Sequence, residues 1–201
     1  NIESVILHLL TINMKVKIIS LAILIMSITI NNQSNAQTIP SGKKILIAYY
    51  SWGGNTRNMS EQIKVATGAD IFEIVPEKAY PVNYNTCVDQ AKEETNSKYK
   101  PELKSKVENF DSYDIIIVGS PNWWSTIAPP VATFLSSYNF SGKTILPFIT
   151  HEGSRMGRSE TDIKELCPTA TMIKGLPVRG GSVKNAGNDI NKWLKENSII
   201  N

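Results

Sequence analysis

Hydrophobic residues fall along this chain in short apolar runs separated by stretches of helical spacing. The run Lys44–Tyr50 has a β-branched bias and reads as a strand buried on both faces. It stops at Ser51 and the pair Gly53-Gly54, after which Met59, Ile63 and Ala66 recur at helical spacing, with Gly68 as the stop. Asp70–Pro76 predicts a second strand, and the polar stretch 77–110 predicts helices near Thr86–Ser97 and Glu102–Asn109. Asp114–Ser120 is the strongest buried-strand pattern and runs into a predicted loop, Pro121–Thr126. Pro129-Pro130 opens a helix carried by Val131, Phe134, Leu135 and Tyr138. Thr144–Thr150 is the fourth strand, followed by His151-Glu152-Gly153-Ser154. Ser159 with Asp162 has the form of a capping box ahead of Ile163, Leu166 and Cys167. Ala170–Ile173 with Leu176–Val178 gives the fifth strand, and Ile190, Trp193 and Leu194 mark the closing helix.

Strands that alternate with helices predict right-handed crossovers and a doubly wound parallel α/β sheet. With strand order 2-1-3-4-5, the loops 51–56, 121–126 and 151–154 leave the carboxyl ends of three neighbouring strands and converge.

The pattern before residue 37 is different in kind. Met14-Lys-Val-Lys precedes a 13-residue apolar run, Ile18–Ile30, and a polar stretch with small residues at Ser34 and Ala36. This is the form of a secretory leader over 14–36, and the run is shorter than the roughly 20 residues of a membrane span. Residues 1–13 read as an over-extended start or as disorder, and 37–42 as a linker to the domain at 43–201. Export, with the periplasm as destination, is the expectation. Loss of Lys15, Lys17 and Glu3 takes the formal net charge from +3 to +2. A chain this close to neutral, with no basic stripe, gives no footprint for nucleic acid.

The candidate chemistry lies in the three converging loops. A strand that feeds a helix through Ser51-Trp52-Gly53-Gly54-Asn55-Thr56 aims backbone N–H groups and a helix dipole at one point, a geometry that binds phosphate. Two glycines do not make the G-x-G-x-x-G of a dinucleotide site, and Gly142-Lys143-Thr144 precedes a strand, so it is no P-loop. Trp123 and Trp124 follow a strand end, and alternation along extended chain puts at least one on the crevice wall, with a flat face for a planar ring. The implied ligand carries a phosphate and an aromatic ring. His151 is the only histidine after the leader; without companions at ligand spacing it predicts no metal site and no triad. Cys87 and Cys167 fall on the second and fourth helices with the third between them, so two free, buried thiols are expected.

These residues resemble the flavodoxin family over about Lys43–Lys195. The resemblance rests on Tyr50-Ser51-Trp52-Gly53-Gly54-Asn55-Thr56, Pro121-Asn122-Trp123-Trp124, and Gly142-Lys143-Thr144 with Pro147-Phe148. It implies a five-stranded 2-1-3-4-5 sheet that binds one FMN without a covalent bond. Ser51, Gly53, Asn55 and Thr56 would then hold the phosphate, with Trp52 and Gly54 in the same loop. Pro121, Asn122, Trp123 and Trp124 would line the isoalloxazine with Thr126 nearby, and His151, Glu152 and Gly153 would approach from the third loop.

By that resemblance the flavin does the redox chemistry and the protein sets its potential. Aromatic contact and few nearby cations disfavour an anionic reduced ring, which predicts a low potential that His151 tunes with pH. The first reading is an electron carrier that serves a redox partner protein or a small-molecule acceptor. An FMN-dependent NAD(P)H or quinone reductase is the second, though no second nucleotide fingerprint is present. A flavin-free binding role is the third.

Overall fold

Ile45, Ile47 and Tyr49 point to one face of the first strand and Leu46 and Ala48 to the other, and all five are buried. The first apolar run is therefore the middle of a sheet covered on both sides. The structure, a computed structural model, describes residues 42–201. The expected leader at 14–36, with residues 1–13 and 37–41, lies outside the described residues.

In chain order the elements are β1 (Ile45–Tyr49), α1 (Asn55–Thr67), β2 (Asp70–Glu73), α2 (Tyr84–Asn96), β3 (Ile115–Trp123) and β4 (Thr126–Ile127). Then follow α3 (Pro129–Ser136), β5 (Thr144–His151), α4 (Ser159–Leu166), β6 (Thr171–Met172), β7 (Leu176–Arg179) and α5 (Gly187–Glu196). The sheet runs β2-β1-β3-β5-β6, with β7 continuing the last position beside β5 and β4 folded back on β3. Apart from β4 every pairing is parallel. This is the expected doubly wound order, 2-1-3-4-5, with one short hairpin added.

Each face is closed by its own helices. Met59 and Ile63 of α1 pack with Ile190, Trp193 and Leu194 of α5 against Ile45, Ile47, Leu146 and Phe148. On the other face Cys87 of α2, Val131 and Phe134 of α3 and Ile163 of α4 cover Leu46, Ala48, Ile116 and Val118. Removing a fully buried ring such as Phe134 costs about 3–5 kcal/mol. Both cysteines are free and buried on this second face, as expected, and the Cys167 thiol donates weakly to the Leu135 carbonyl at 3.7 Å.

The outer position opposite β2 is broken for a reason. Ile145 accepts a hydrogen bond from Ile173 through a carbonyl that faces the edge, so the nitrogen of Pro147, two residues on, faces the edge too. Pro147 has no N–H to offer there, and the fifth position splits at this point into β6 and β7. In β7, Pro177 stands opposite the edge-facing Ile149, which turns its own nitrogen to the open side.

Four expectations change. The third strand runs on through Trp123 and turns into β4, so 121–126 is a hairpin rather than a loop. Residues 102–109 form no helix: Glu77 N–H donates to the Glu102 carbonyl and Lys104 N–H to that of Val75, making an extended strap. The second helix starts earlier, at Tyr84, because the Asn83 side chain caps it by accepting from Thr86 N–H at 3.1 Å. The capping box at Ser159 does not form. The Ser159 hydroxyl is buried without a partner, and Asp162 instead accepts from Thr126 and Arg158.

Candidate functional site

The turn after β1 is built to leave donors open. Gly54 takes φ +90°, its N–H donates to Ser51 Oγ at 3.1 Å, and Asn58 N–H closes the first helical bond to the Gly54 carbonyl. The amides of Asn55, Thr56 and Arg57 thus have no intrahelical acceptor. No side chain caps α1, and its first turn holds no acidic residue, so nothing within the helix compensates its positive end. Thr56 and Thr150 share a hydrogen bond of 2.9 Å in the buried floor, which ties this turn to the end of β5.

Arg57, in that first turn, points away. It forms an ion pair with Glu73, with Nε 3.2 Å from Oε2, and that pair raises the Arg57 pKa. Tyr49 also donates to Glu73, and burial first, then that carboxylate, pushes its hydroxyl up to about 12. The turn itself carries no cationic side chain.

The opposite wall is aromatic. Trp124 and Ser125 are the two central residues of the β3–β4 hairpin, both left-handed with φ +51° and +66°. That is the type I′ pattern, in residues that adopt it at a cost. The turn is clasped from the loop after β5: Arg158 N–H donates to the Ser125 carbonyl at 2.7 Å and Asn122 Nδ2 to that of Arg155 at 2.9 Å. The two indoles part company. Trp123 packs edge-on against Tyr80 and Tyr50, at 4.8 and 5.5 Å between centres. Trp124 is 44% exposed, donates from Nε1 to the Val88 carbonyl, and lies beneath the Lys92 ammonium at 5.0 Å. Trp52 stands across the opening, anchored to the Pro81 carbonyl at 3.1 Å and tilted against Tyr84.

His151 accepts from Gly153 N–H through Nδ1 at 3.0 Å. Its pKa is lowered from 6.5 by burial first, then by Arg155 and Arg179, with Glu152 opposing. The imidazole is therefore neutral at pH 7 and can donate from Nε2.

These pieces enclose one cleft of about 680 Å³. Of the residues expected at the site, Ser51, Trp52, Gly53, Asn55, Thr56, Pro121, Asn122, Trp123, Trp124, His151, Glu152 and Gly153 line it. Gly54 acts behind the wall through its turn. Thr126 is turned away: it is buried and donates to Asp162. The structure adds Ser125, Thr150 and Ser154, and a shelf from α2 made by Tyr84, Cys87, Val88 and Ala91. Burial pushes the Cys87 thiol pKa up, which keeps it protonated. The shelf lay in a weakly periodic stretch; the Asn83-x-x-Thr86 cap was its one local signal. Among the described residues no cluster of His, Cys, Asp or Glu could hold a metal, and no helix is long and apolar enough to cross a membrane.

The profile of the family described as flavodoxin matches residues 44–197. A structure from Bacteroides eggerthii, described as a flavoprotein, is 30% identical, with 77% of this chain and 98% of that one covered and a TM-score of 0.67. One from Bacteroides uniformis is 28% identical, covered over 77% and 99%, with a TM-score of 0.68. A Lactobacillus acidophilus flavoprotein in complex with FMN is 27% identical, covered over 76% and 99%, with a TM-score of 0.61. No curated protein matches the chain.

Proposed function

The chain belongs to the flavodoxin family, and from that membership and the shape of the cleft we propose an exported, low-potential electron carrier with non-covalently bound FMN. One observation carries the reading: a turn of open amides at an uncapped helix start and a wall of indole and phenol rings share a single cleft. The first suits a phosphate, the second a flat heteroaromatic ring, and FMN has both. The related structure from Lactobacillus acidophilus, in complex with FMN, adds support.

The residues fit that group. Asn55, Thr56 and Arg57 N–H groups with the Ser51 hydroxyl would hold the phosphate, and Trp124 and Trp52 would flank the ring. Bound flavin supplies reversible one- and two-electron chemistry. The protein's part is to bind it, exclude water from its faces with indole, and hold the neutral His151 Nε2–H as a donor in the cleft. With His151 neutral and no cationic side chain in the turn 51–56, those two loops add no positive charge to favour an anionic reduced ring, which supports a low potential. Export rests on the leader pattern at 14–36.

The test is titration of residues 37–201 with FMN, followed by gel filtration and an absorption spectrum. Retained flavin bands together with no steady-state NAD(P)H oxidation, with or without quinone, are expected. Colourless protein would remove the redox reading. Sustained NAD(P)H turnover would replace the carrier with a reductase.

A further inference from the structure

The phosphate turn has a charge problem. A phosphate monoester carries nearly two negative charges at pH 7, yet Ser51–Thr56 contains no Lys or Arg and Arg57 is committed to Glu73. The third loop makes this worse, because it brings a carboxylate to the same place. A Cβ built on Gly180 would lie 2.2 Å from Glu152 Oε1 and 2.6 Å from Asn55 Nδ2. Glu152 and the first residue of α1 therefore meet over a glycine that is empty enough to admit them. Beside them, Arg179 Nε stands 3.7 Å from Glu152 Oε2. That is beyond hydrogen-bond length, and both side chains are largely exposed, so the pair is weak and its guanidinium is available.

We propose that Arg179, at the carboxyl end of β7, is the cation that balances the bound phosphate, with Glu152 holding it beside Asn55 until the phosphate arrives. This rests on the FMN reading above. A guanidinium offers a fork of N–H donors to phosphate oxygens, a better match than its single long contact with Glu152. Gly180, next to Arg179, leaves the ends of Glu152 and Asn55 room to meet there. The assignment makes a fourth loop, after the fifth strand position, part of the cofactor site. Arg179 then acts chiefly on the phosphate, while its charge also helps to keep the neighbouring His151 neutral.

Riboflavin, which has the ring without the phosphate, separates the two. Dissociation constants for FMN and riboflavin are measured by flavin fluorescence on the wild-type chain and on Arg179→Gln, Arg179→Lys and Glu152→Gln. The wild type is expected to prefer FMN. Arg179→Gln should weaken FMN about tenfold and riboflavin less than twofold, with the difference shrinking in 0.5 M salt; Arg179→Lys should recover most of the loss. Glu152→Gln should tighten FMN several-fold and raise the FMN-to-riboflavin preference. If Arg179→Gln leaves the FMN-to-riboflavin ratio as it is in a wild type that binds FMN, the assignment of Arg179 is overturned while the FMN reading stands. A wild type that binds neither flavin overturns both.

Discussion

The two ends of the sheet solve opposite problems. At the amino end of β5, Lys143 is buried, yet its ammonium donates to the Asp111 and Tyr113 carbonyls at 3.1 and 2.5 Å and lies 5.1 Å from the centre of Phe110. Phe110 in turn stacks on Tyr138 and meets Phe140 edge-on, and Phe140 meets Phe134 edge-on, so the ammonium's two carbonyl partners and its ring all lie inside the chain. At the carboxyl end, N–H groups at the start of α1 lack acceptors, and Trp124, Ser125 and Arg155 are held left-handed. One end has spent its hydrogen-bonding capacity on itself; the other has kept it for a ligand. Stability and binding are thus divided along the strand direction rather than between domains.

If that division is right, changes at one end should leave the other's observable untouched. The largest effect is expected from Ser51→Asp. The new carboxylate can still accept from Gly54 N–H, so the thermal midpoint should hold, while charge repulsion at the turn should weaken FMN about 100-fold, or roughly 2.7 kcal/mol. A fluorescence titration beside a melting curve reads both. Lys143→Met is the mirror case. Two stranded carbonyls and a lost cation should lower stability by about 2 kcal/mol in urea without changing FMN affinity. An affinity loss there would break the division.

Smaller effects sharpen the picture. Ser125→Gly relieves one left-handed residue of the hairpin and should raise stability by about 0.5–1 kcal/mol, read from the urea midpoint. The smallest concerns His151. Its pKa lies below the ordinary 6.5, so it is neutral at pH 7 and gains its charge only as the pH falls further. A cation beside the ring favours the reduced flavin, so the wild-type potential should climb on acidification by about 20 mV, for one electron the equivalent of roughly 0.5 kcal/mol. His151→Ala should remove that extra climb in a potentiometric titration across pH 5–8.

What could be read from the sequence follows from how each feature is encoded. The turn after β1 is legible because strand, glycine pair and helix are all local patterns, and the sheet order follows from their alternation. The hairpin is not, because type I′ turns announce themselves as Asn-Gly or Asp-Gly and here the positions are Trp124 and Ser125. Its conformation is imposed from outside, by Arg158 N–H and by Gly157, on which a Cβ would lie 2.2 Å from the Ser125 carbonyl oxygen. The resemblance implies Thr126 near the ring, and the hairpin turns it to Asp162 instead. Residues 102–109 have a composition compatible with a helix, yet pairing with residues 75–77 prevails over propensity. The α2 shelf and Arg179 depend on distant segments meeting, for which no local pattern exists.

The two prolines beside the fifth strand position bear on what the molecule does in company. An exposed strand edge is an invitation to a second chain, which can extend the sheet through the unpaired backbone groups. Here one border is the four-residue β2, with its Asp70 exposed. The other is cut in two opposite Pro147 and carries, in Pro177, an outward nitrogen with no hydrogen to donate. Among the described residues, then, one border is too short and the other too interrupted to offer a long ladder to the sheet of a second copy.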